Sequence, residues 1–347
     1  MGKELYLELA ARGHRVPIGT HLVLHQQSEP ERVLLDAVAL GGVVAETARR
    51  FDTPLAMPLM DLTLEKAALL AAMGVSASEA DGFHLVDCAL NPDRIPLTPR
   101  MVATCGAIAE VARRPGLLPM GMCIGPFSLT TKLLSDPITP VFMAGTGLSS
   151  ADEPEIAVLE HALALSLRVV TTYLRAQLEA GAKSIIVCEP AANLVYFSPR
   201  QLGQGYEVFD RFVMEPMRVL TAILREAGAD LVFHDCGELT EGMVRRFATL
   251  DAAMVSLGSS RVLWEDAALF PKDTVLYGNL PTKRFFSRQL SVEEVGARAR
   301  ELVARMREAG HPFILGSECD VLSVPGAEAE ILSKVDAFLR PCCPSCS

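Results

Sequence analysis

Short apolar runs alternate with longer amphipathic segments along almost the whole of this 347-residue chain. A run of about four to eight apolar residues bounded by turn residues is typical of a buried strand, and apolar positions spaced about three or four apart indicate a helix. Repeated alternation of the two patterns predicts parallel strands joined by crossover helices. Eight strand segments without a clear break favour one (β/α)8 TIM barrel of the α/β class, with an N-terminal helical extension, as a single domain over 1–347. The predicted strands cover 16–20, 54–60, 117–124, 184–189, 230–236, 253–258, 274–279 and 313–319.

Capping signals predict several helix ends. A capping box at 150–153 predicts the start of a helix that ends near Gly181, and a second box at 291–294 predicts a helix that ends at Gly310. Pro216 predicts a kink or an interruption of the helix between about 207 and 227, because proline lacks the amide hydrogen that a helix interior requires.

The composition favours a globular protein with a large core, since 50% of the residues are hydrophobic. The formal net charge is −10 and the pI is about 5.3. An acidic chain without a concentrated basic run argues against nucleic acid or an anionic membrane as the main partner, although it leaves room for a local basic patch. No apolar segment is expected to span a bilayer, and the N-terminal segment lacks the apolar core of a signal peptide. We therefore expect a cytoplasmic protein.

Candidate metal ligands lie at the ends of two predicted strands. His234 and Cys236 close the fifth strand two positions apart, so both side chains point to the same face. Cys319 lies at the same end of the eighth strand, and barrel closure can bring it to the pair across the mouth. One imidazole and two thiolates would hold zinc with one position open, as in catalytic zinc sites. On spacing alone, ordinary core packing of these side chains remains equally open.

The other cysteines carry weaker signals. An odd count of 9 in a chain without a recognisable export signal predicts reduced thiols. Core packing is favoured for four of these cysteines. The other three lie in the C-terminal segment RPCCPSCS and are predicted to be in a tail, with a zinc-binding or redox role as the minor alternative. The first four are Cys88, Cys105, Cys123 and Cys188, and the last three are Cys342, Cys343 and Cys346.

A family resemblance rests on five segments: CIGPFSLTTKLL at 123–134, CEPAANLVYFSPRQ at 188–201, VFHDCG at 232–237, LYGNL at 276–280 and GSECDV at 316–321. The sequence resembles the uroporphyrinogen decarboxylase superfamily over nearly its whole length. Within it, the chain is most similar to the zinc-dependent corrinoid methyltransferase branch, typified by methylcobalamin:coenzyme M methyltransferases. The decarboxylases carry an arginine-rich N-terminal motif of the form M-R-Q-A-G-R for the carboxylates of their substrate. Here the corresponding region reads VPIGTHLVLHQQSEPER, which leaves decarboxylation of a tetrapyrrole or related acid as the less favoured alternative.

The resemblance implies a reaction and its partners. In the methyltransferase branch a His-x-Cys pair and a later Cys bind zinc, which matches His234, Cys236 and Cys319 position by position. The resemblance also implies methyl transfer between methylcobalamin and a thiol or similar small molecule, in a direction that the sequence leaves open. The chain contains no Asp-x-His-x-x-Gly corrinoid motif, so the corrinoid is expected on a separate protein that docks over the barrel mouth. A non-catalytic zinc- or corrinoid-handling role is a further hypothesis, and no oligomeric state is predicted.

Three polar residues near strand ends are further candidates. Glu189 ends the fourth strand and could take the proton of the acceptor thiol or complete the zinc shell, with loop anchoring as an equally open role. Asn279, at the end of the seventh strand, is a candidate catalytic residue that supports the site. For Asp320 a surface or capping role is favoured over a contact that orients a ligand.

Overall fold

The computed structural model describes residues 2–76 and 78–340. All eight predicted strands are present, and every laddered pair is parallel. The strands are β1 (Arg15–Val16), β2 (Leu55–Ala56), β3 (Leu118–Ile124), β4 (Ser184–Cys188), β5 (Asp230–Asp235), β6 (Met254–Leu257), β7 (Val275–Leu280) and β8 (Phe313–Ser317).

Helices connect the strands on the outside of the sheet. Before β3 they are α1 (Glu4–Ala11), α2 (Thr20–Leu24), α3 (Pro30–Val33), α4 (Ala37–Arg50), α5 (Leu64–Ala72) and α6 (Pro99–Ala112). Between β3 and β5 they are α7 (Pro126–Thr131), α8 (Ile138–Gly145), α9 (Pro154–Glu179), α10 (Pro199–Leu202), α11 (Glu207–Phe209) and α12 (Glu215–Glu226). After β5 they are α13 (Glu241–Phe247), α14 (Leu263–Asp266), α15 (Val292–Glu308) and α16 (Glu328–Leu339). Short 3-10 turns cover Ala248–Leu250, Ala267–Leu269 and Thr282–Arg284, and a π-helical turn covers Asp210–Met214.

The strands follow the order β1-β8-β7-β6-β5-β4-β3-β2 and curl into a barrel. The two-residue strands β1 and β2 stand at the seam, where the hydroxyl of Thr20 donates to the carbonyl oxygen of Met57 at 2.7 Å. One cluster of buried apolar side chains extends from Tyr6 in α1 to Phe338 in α16. The predicted TIM-barrel fold with its N-terminal helix is confirmed. The assignment of 1–347 to a single domain stays a prediction. The predicted C-terminal tail with Cys342, Cys343 and Cys346 lies outside the described residues.

Two of the three helix-end predictions are confirmed. The box at 291–294 is formed, with the Ser291 hydroxyl and the Glu294 carboxylate each accepting from the other's backbone N–H. Pro216 lies in the first turn of α12, directly after the π-helical turn. The predicted box at 150–153 is wrong, because α9 begins only at Pro154, which suits a first helical position where no amide donor is needed.

Helix α9 also corrects the expectation that no segment could span a bilayer. By length and composition alone, its 26 residues are apolar enough to cross a membrane. Its inner face, including Ile156, Val170 and Leu174, is buried against β3 and the neighbouring helices. The apolar side chains of α9 therefore cover the barrel wall.

Candidate metal centre at the barrel mouth

Three soft ligands converge where β5 and β8 end. The ligand atoms of His234, Cys236 and Cys319 all lie within 4.8 Å of one another. The two sulfurs are 3.8 Å apart, which matches the ~3.8 Å expected between two sulfurs that each lie ~2.3 Å from one tetrahedral ion. This separation is far longer than a disulfide bond of about 2.05 Å, and both cysteines are free thiols. The geometry therefore suits a metal ion held by one nitrogen and two sulfurs.

The imidazole of His234 is oriented by its neighbour in the sheet. Ser256 lies beside His234 in the β5–β6 register, and its hydroxyl oxygen is 2.9 Å from Nδ1. The other ring nitrogen, Nε2, is enclosed and has no hydrogen-bond partner among the described residues. An unsatisfied buried polar atom costs about 1–3 kcal/mol, a cost that a metal ion bound at Nε2 would remove. This arrangement, with one nitrogen fixed and the other left for a ligand, is typical of metal-binding histidines.

The surroundings favour negative charge on the sulfurs. The hydrogen bond with Cys319 lowers the pKa of Cys236 against the opposing effect of burial, and contacts with His234 and Lys283 lower it further. The same interaction raises the pKa of Cys319, because a second negative charge beside the first is unfavourable. One thiolate therefore forms readily, and a bound cation would favour loss of the second proton.

A lysine and a methionine border the three ligands. The Lys283 ammonium, on the 3-10 turn after β7, donates to the carbonyl oxygen of Cys236 at 3.3 Å. Burial lowers the pKa of Lys283, but the charges of Cys236 and Cys319 outweigh that effect and raise it. The thioether sulfur of Met60 lies 3.7 Å from Sγ of Cys319. The site thus has the positive charge of Lys283 beside it and, in Met60, a sulfur atom in addition to those of the two cysteines.

Glu189 is fully buried next to the centre but is held by a helix. Its carboxylate accepts from the backbone N–H of Phe127 at 2.9 Å, and from the N–H and hydroxyl of Ser128 at 2.8 and 2.7 Å. A Cβ atom at Gly125 would overlap this carboxylate, so glycine allows its close approach to the start of α7. Burial raises the pKa of Glu189 to about 7 despite these hydrogen bonds. The contacts match the loop-anchoring role, and a role in proton transfer stays a prediction.

Asn279 supports the backbone behind Cys236. Its amide donates to the carbonyl oxygens of Gly258 at 2.8 Å and of Arg261 at 2.9 Å. A Cβ atom at Gly258 would lie 2.8 Å from the carbonyl oxygen of Cys236, so the segment after β6 rests directly on the ligand's backbone. These contacts give Asn279 a positioning role, and its predicted catalytic role stays a prediction.

The expectation of a surface or capping role for Asp320 is wrong. Asp320 is 5% exposed, and its Oδ2 is hydrogen-bonded to Nδ1 of His21 on α2. Burial lowers the pKa of His21, but the hydrogen bond and charge of Asp320 outweigh it and raise the pKa. The residue after Cys319 is thereby fixed to the helix that follows β1.

A profile of the family described as Uroporphyrinogen decarboxylase (URO-D) matches residues 60–332. The chain belongs to the uroporphyrinogen decarboxylase family. The matched region contains His234, Cys236 and Cys319 as well as Glu189 and Asn279. Membership in this family supports the prediction that the protein is an enzyme. A search of curated proteins found no significant match.

Two solved structures are similar to this chain at low sequence identity. A methyltransferase from Methanosarcina mazei superimposes with a TM-score of 0.67 at 16% identity, over 97% of this chain and 98% of the other. A 3-keto-D-glucoside 4-epimerase from E. coli, YcjR, gives a TM-score of 0.38 at 15% identity, over 81% of this chain and 96% of the other. The comparison with the Methanosarcina mazei methyltransferase shows that the two proteins share a fold.

Several residues at the site were not identified from the sequence. Ser256 is a polar residue in an otherwise apolar strand, one position before the strand ends, and this signal could have identified it. Lys283, Met60 and His21 lie on loops or a short helix, where no periodic pattern indicates which way a side chain points. Only the folded structure shows that these three residues lie near the candidate metal ligands.

Proposed function

We propose that the protein is a zinc-dependent methyltransferase that moves a methyl group between a corrinoid and a thiol or similar small acceptor. The observation that carries the proposal is the convergence of His234, Cys236 and Cys319, with an unpartnered Nε2 and a sulfur separation of 3.8 Å. The methyltransferase from Methanosarcina mazei, which shares the fold, gives the reaction class a precedent in this architecture. Catalytic zinc sites hold three protein ligands and leave one position for substrate.

The donor set fits zinc better than a hard cation. Thiolate sulfur and imidazole nitrogen are ligands that zinc prefers, whereas magnesium and calcium require oxygen. When bound, zinc would act as a Lewis acid that lowers the pKa of the acceptor thiol and fixes its sulfur. The protein's own part is to hold the two sulfurs 3.8 Å apart, with a ring nitrogen of His234 within 4.8 Å of both.

Lys283 is suited to balance charge at this site. Cys236 and Cys319 as thiolates would cancel the charge of a bound divalent ion, and a substrate thiolate would then add one negative charge. The ammonium of Lys283, already held at the Cys236 carbonyl at 3.3 Å, offsets that charge without binding the sulfur directly. The part of Lys283 would therefore be to favour the ionised form of a substrate thiol at this site.

The overall transfer conserves atoms and charge. The sulfur–carbon bond forms as the cobalt–carbon bond breaks, the bonding electron pair stays with the corrinoid, and the thiol proton is released. Glu189 is a proposed acceptor for this proton, since burial raises its pKa to about 7. Its hydrogen bonds to α7 would keep the carboxylate in place during the exchange.

The barrel mouth carries exposed apolar side chains that suit a docked corrinoid protein. They lie on segments that follow β3, β4, β7 and β8 in the chain. Phe286 is 50% exposed and Val195 is 63% exposed, and exposed apolar side chains that form a contiguous patch can mark a site of protein interaction. The exposed set at the mouth comprises Phe142, Val195, Phe286 and Leu322.

The assay is methyl transfer from methylcobalamin to a panel of thiols, with folate as an additional acceptor. The zinc-loaded protein should consume the methylcobalamin absorbance and form the methylated acceptor in equal amounts, and a cognate corrinoid protein should accelerate the reaction. The metal-free protein and the Cys236→Ala variant are the matched controls. Decarboxylation of uroporphyrinogen, with no acceptor methylated even in the presence of a corrinoid protein, would contradict the proposal.

A further inference from the structure

Two adjoining hollows lie at the amino-terminal end of the barrel, opposite the metal centre. Their walls include the start of β1 and the start of β8, whereas the metal ligands follow the carboxyl ends of the strands. The larger hollow has a volume of about 530 Å³ and the smaller one about 370 Å³. They share the lining residues Gly13, His14, Val303 and Arg307, so the two hollows adjoin, and together they make up one groove.

The larger hollow concentrates positive charge in an acidic protein. Four arginines and one aspartate are among its lining residues, although the whole chain has a net charge of −10. The charged lining residues are Arg12, Arg15, Arg50, Arg307 and Asp52.

Helix ends explain how the guanidinium groups can lie near one another. Arg12 directly follows α1, Arg50 ends α4, and Arg307 is in the last turn of α15. The carboxyl end of a helix carries partial negative charge, which stabilises a nearby cation. Arg12 also pairs with Glu8, and Arg50 donates to the side-chain oxygen of Gln26 at 2.8 Å.

One arginine of the groove is left without such a partner. The side chain of Arg307, which borders both hollows, has no hydrogen bond or ion pair with any residue in 2–76 or 78–340. A guanidinium group offers five N–H donors in a planar fork that fits the oxygens of a phosphate group. The donors of Arg307 are therefore available to an anion in the groove.

The smaller hollow has a different chemistry. Its walls are largely apolar and include Leu7, Met306 and Phe313. His311 also borders it, is 6% exposed, and has an Nδ1 atom without a hydrogen-bond partner in the described part of the chain. A ligand that fills both hollows would thus join an anionic group to a less polar body with hydrogen-bonding capacity.

We propose that this groove binds a small organic phosphate, with the phosphate groups at the arginines and the organic part in the hollow beside His311. The volumes lie in the range of about 300–1,000 Å³ that is usual for small-molecule sites. A concave site of this size favours a small ligand over the long, open surface that a nucleic acid requires. The site is separate from the metal centre, so the proposal does not depend on the methyl-transfer reaction.

The test is isothermal titration calorimetry of the full-length protein with ATP and with inorganic pyrophosphate, at constant ionic strength and without added divalent cations. We expect saturable binding of ATP, and weaker binding of pyrophosphate, which lacks the organic part. The Arg50→Gln/Arg307→Gln double variant should lose at least about tenfold in affinity, since each arginine can supply charge-assisted hydrogen bonds to phosphate.

The matched control is Arg305→Gln. Arg305 is on the same helix as Arg307, is 53% exposed and pairs with Glu308 at 3.3 Å, but does not line the groove. Its variant should bind ATP as the unaltered protein does, and circular dichroism should show that all variants are folded. Absence of saturable binding of both phosphates, or equal binding by the double variant, would overturn the proposal.

Discussion

Replacing Ser256 by alanine should weaken zinc binding without removing any of the three ligands. The substitution deletes the hydroxyl that lies 2.9 Å from Nδ1 of His234, so the ring loses the contact that fixes its orientation and tautomer. Loss of such a supporting hydrogen bond typically lowers metal affinity about 10- to 100-fold, which corresponds to about 1.4–2.7 kcal/mol. Because His234 is 1% exposed, water cannot readily replace the hydroxyl, and we expect a value within this range.

The measurement is zinc affinity by competition with a chromophoric chelator, for the unaltered protein and for Ser256→Ala. Ser184→Ala is the control, because Ser184 is also a buried strand serine, accepting from the Tyr6 hydroxyl at 2.8 Å at the opposite end of the barrel. The control should lose stability but keep its zinc affinity. A folded Ser256→Ala protein that binds zinc within about twofold of the unaltered one would refute coordination through an oriented Nε2, since a loss of about tenfold or more is expected.

Three further predictions concern the thiol, a buried lysine and a buried acid. Cys319→Ser should lose most methyl-transfer activity while keeping the fold, as judged by turnover and circular dichroism, because a hydroxyl is a poor zinc ligand. Lys334→Met should lower the free energy of unfolding by about 2–4 kcal/mol in urea titrations, since this fully buried ammonium donates to the carbonyls of Phe285 and Ser287 at 2.6 and 2.8 Å. Burial raises the pKa of Glu65 to about 8, so the folded chain holds a proton that the unfolded chain releases above about pH 4.5. Stability should therefore fall as pH rises from about 5 to 8, and Glu65→Gln should flatten this dependence in urea titrations at each pH; an unchanged slope would contradict the assignment.

Local patterns were sufficient to predict most of the barrel. Each strand of a parallel barrel is buried on both faces, so it appears in the sequence as an apolar run, and all eight runs form strands. The capping box at 291–294 was equally local, because its hydrogen bonds join residues three apart. The box at 150–153 failed because Pro154 starts the helix later, with the Ser149 hydroxyl donating to Asp152 in the preceding turn at 2.6 Å.

The site was predictable only where strand geometry positions its residues. His234 and Cys236 share a face through strand alternation, and barrel closure brings Cys319 to them. The partner of Glu189 could not be predicted, because the first turn of α7 is more than sixty residues away in the chain. The burial of Asp320 against His21 likewise depends on how β1 and β8 meet, which the residues near Asp320 do not encode.

X-ray absorption at the zinc edge, before and after addition of an acceptor thiol, tests the central claim most directly. We predict about one zinc per chain, with one nitrogen at about 2.0–2.1 Å and two sulfurs at about 2.3 Å. Addition of the thiol should raise the sulfur count from two to three, since the open position accepts the substrate. Full zinc retention by a Cys236→Ala/Cys319→Ala protein, or a sulfur count that does not change with any thiol that the enzyme methylates, would contradict the account.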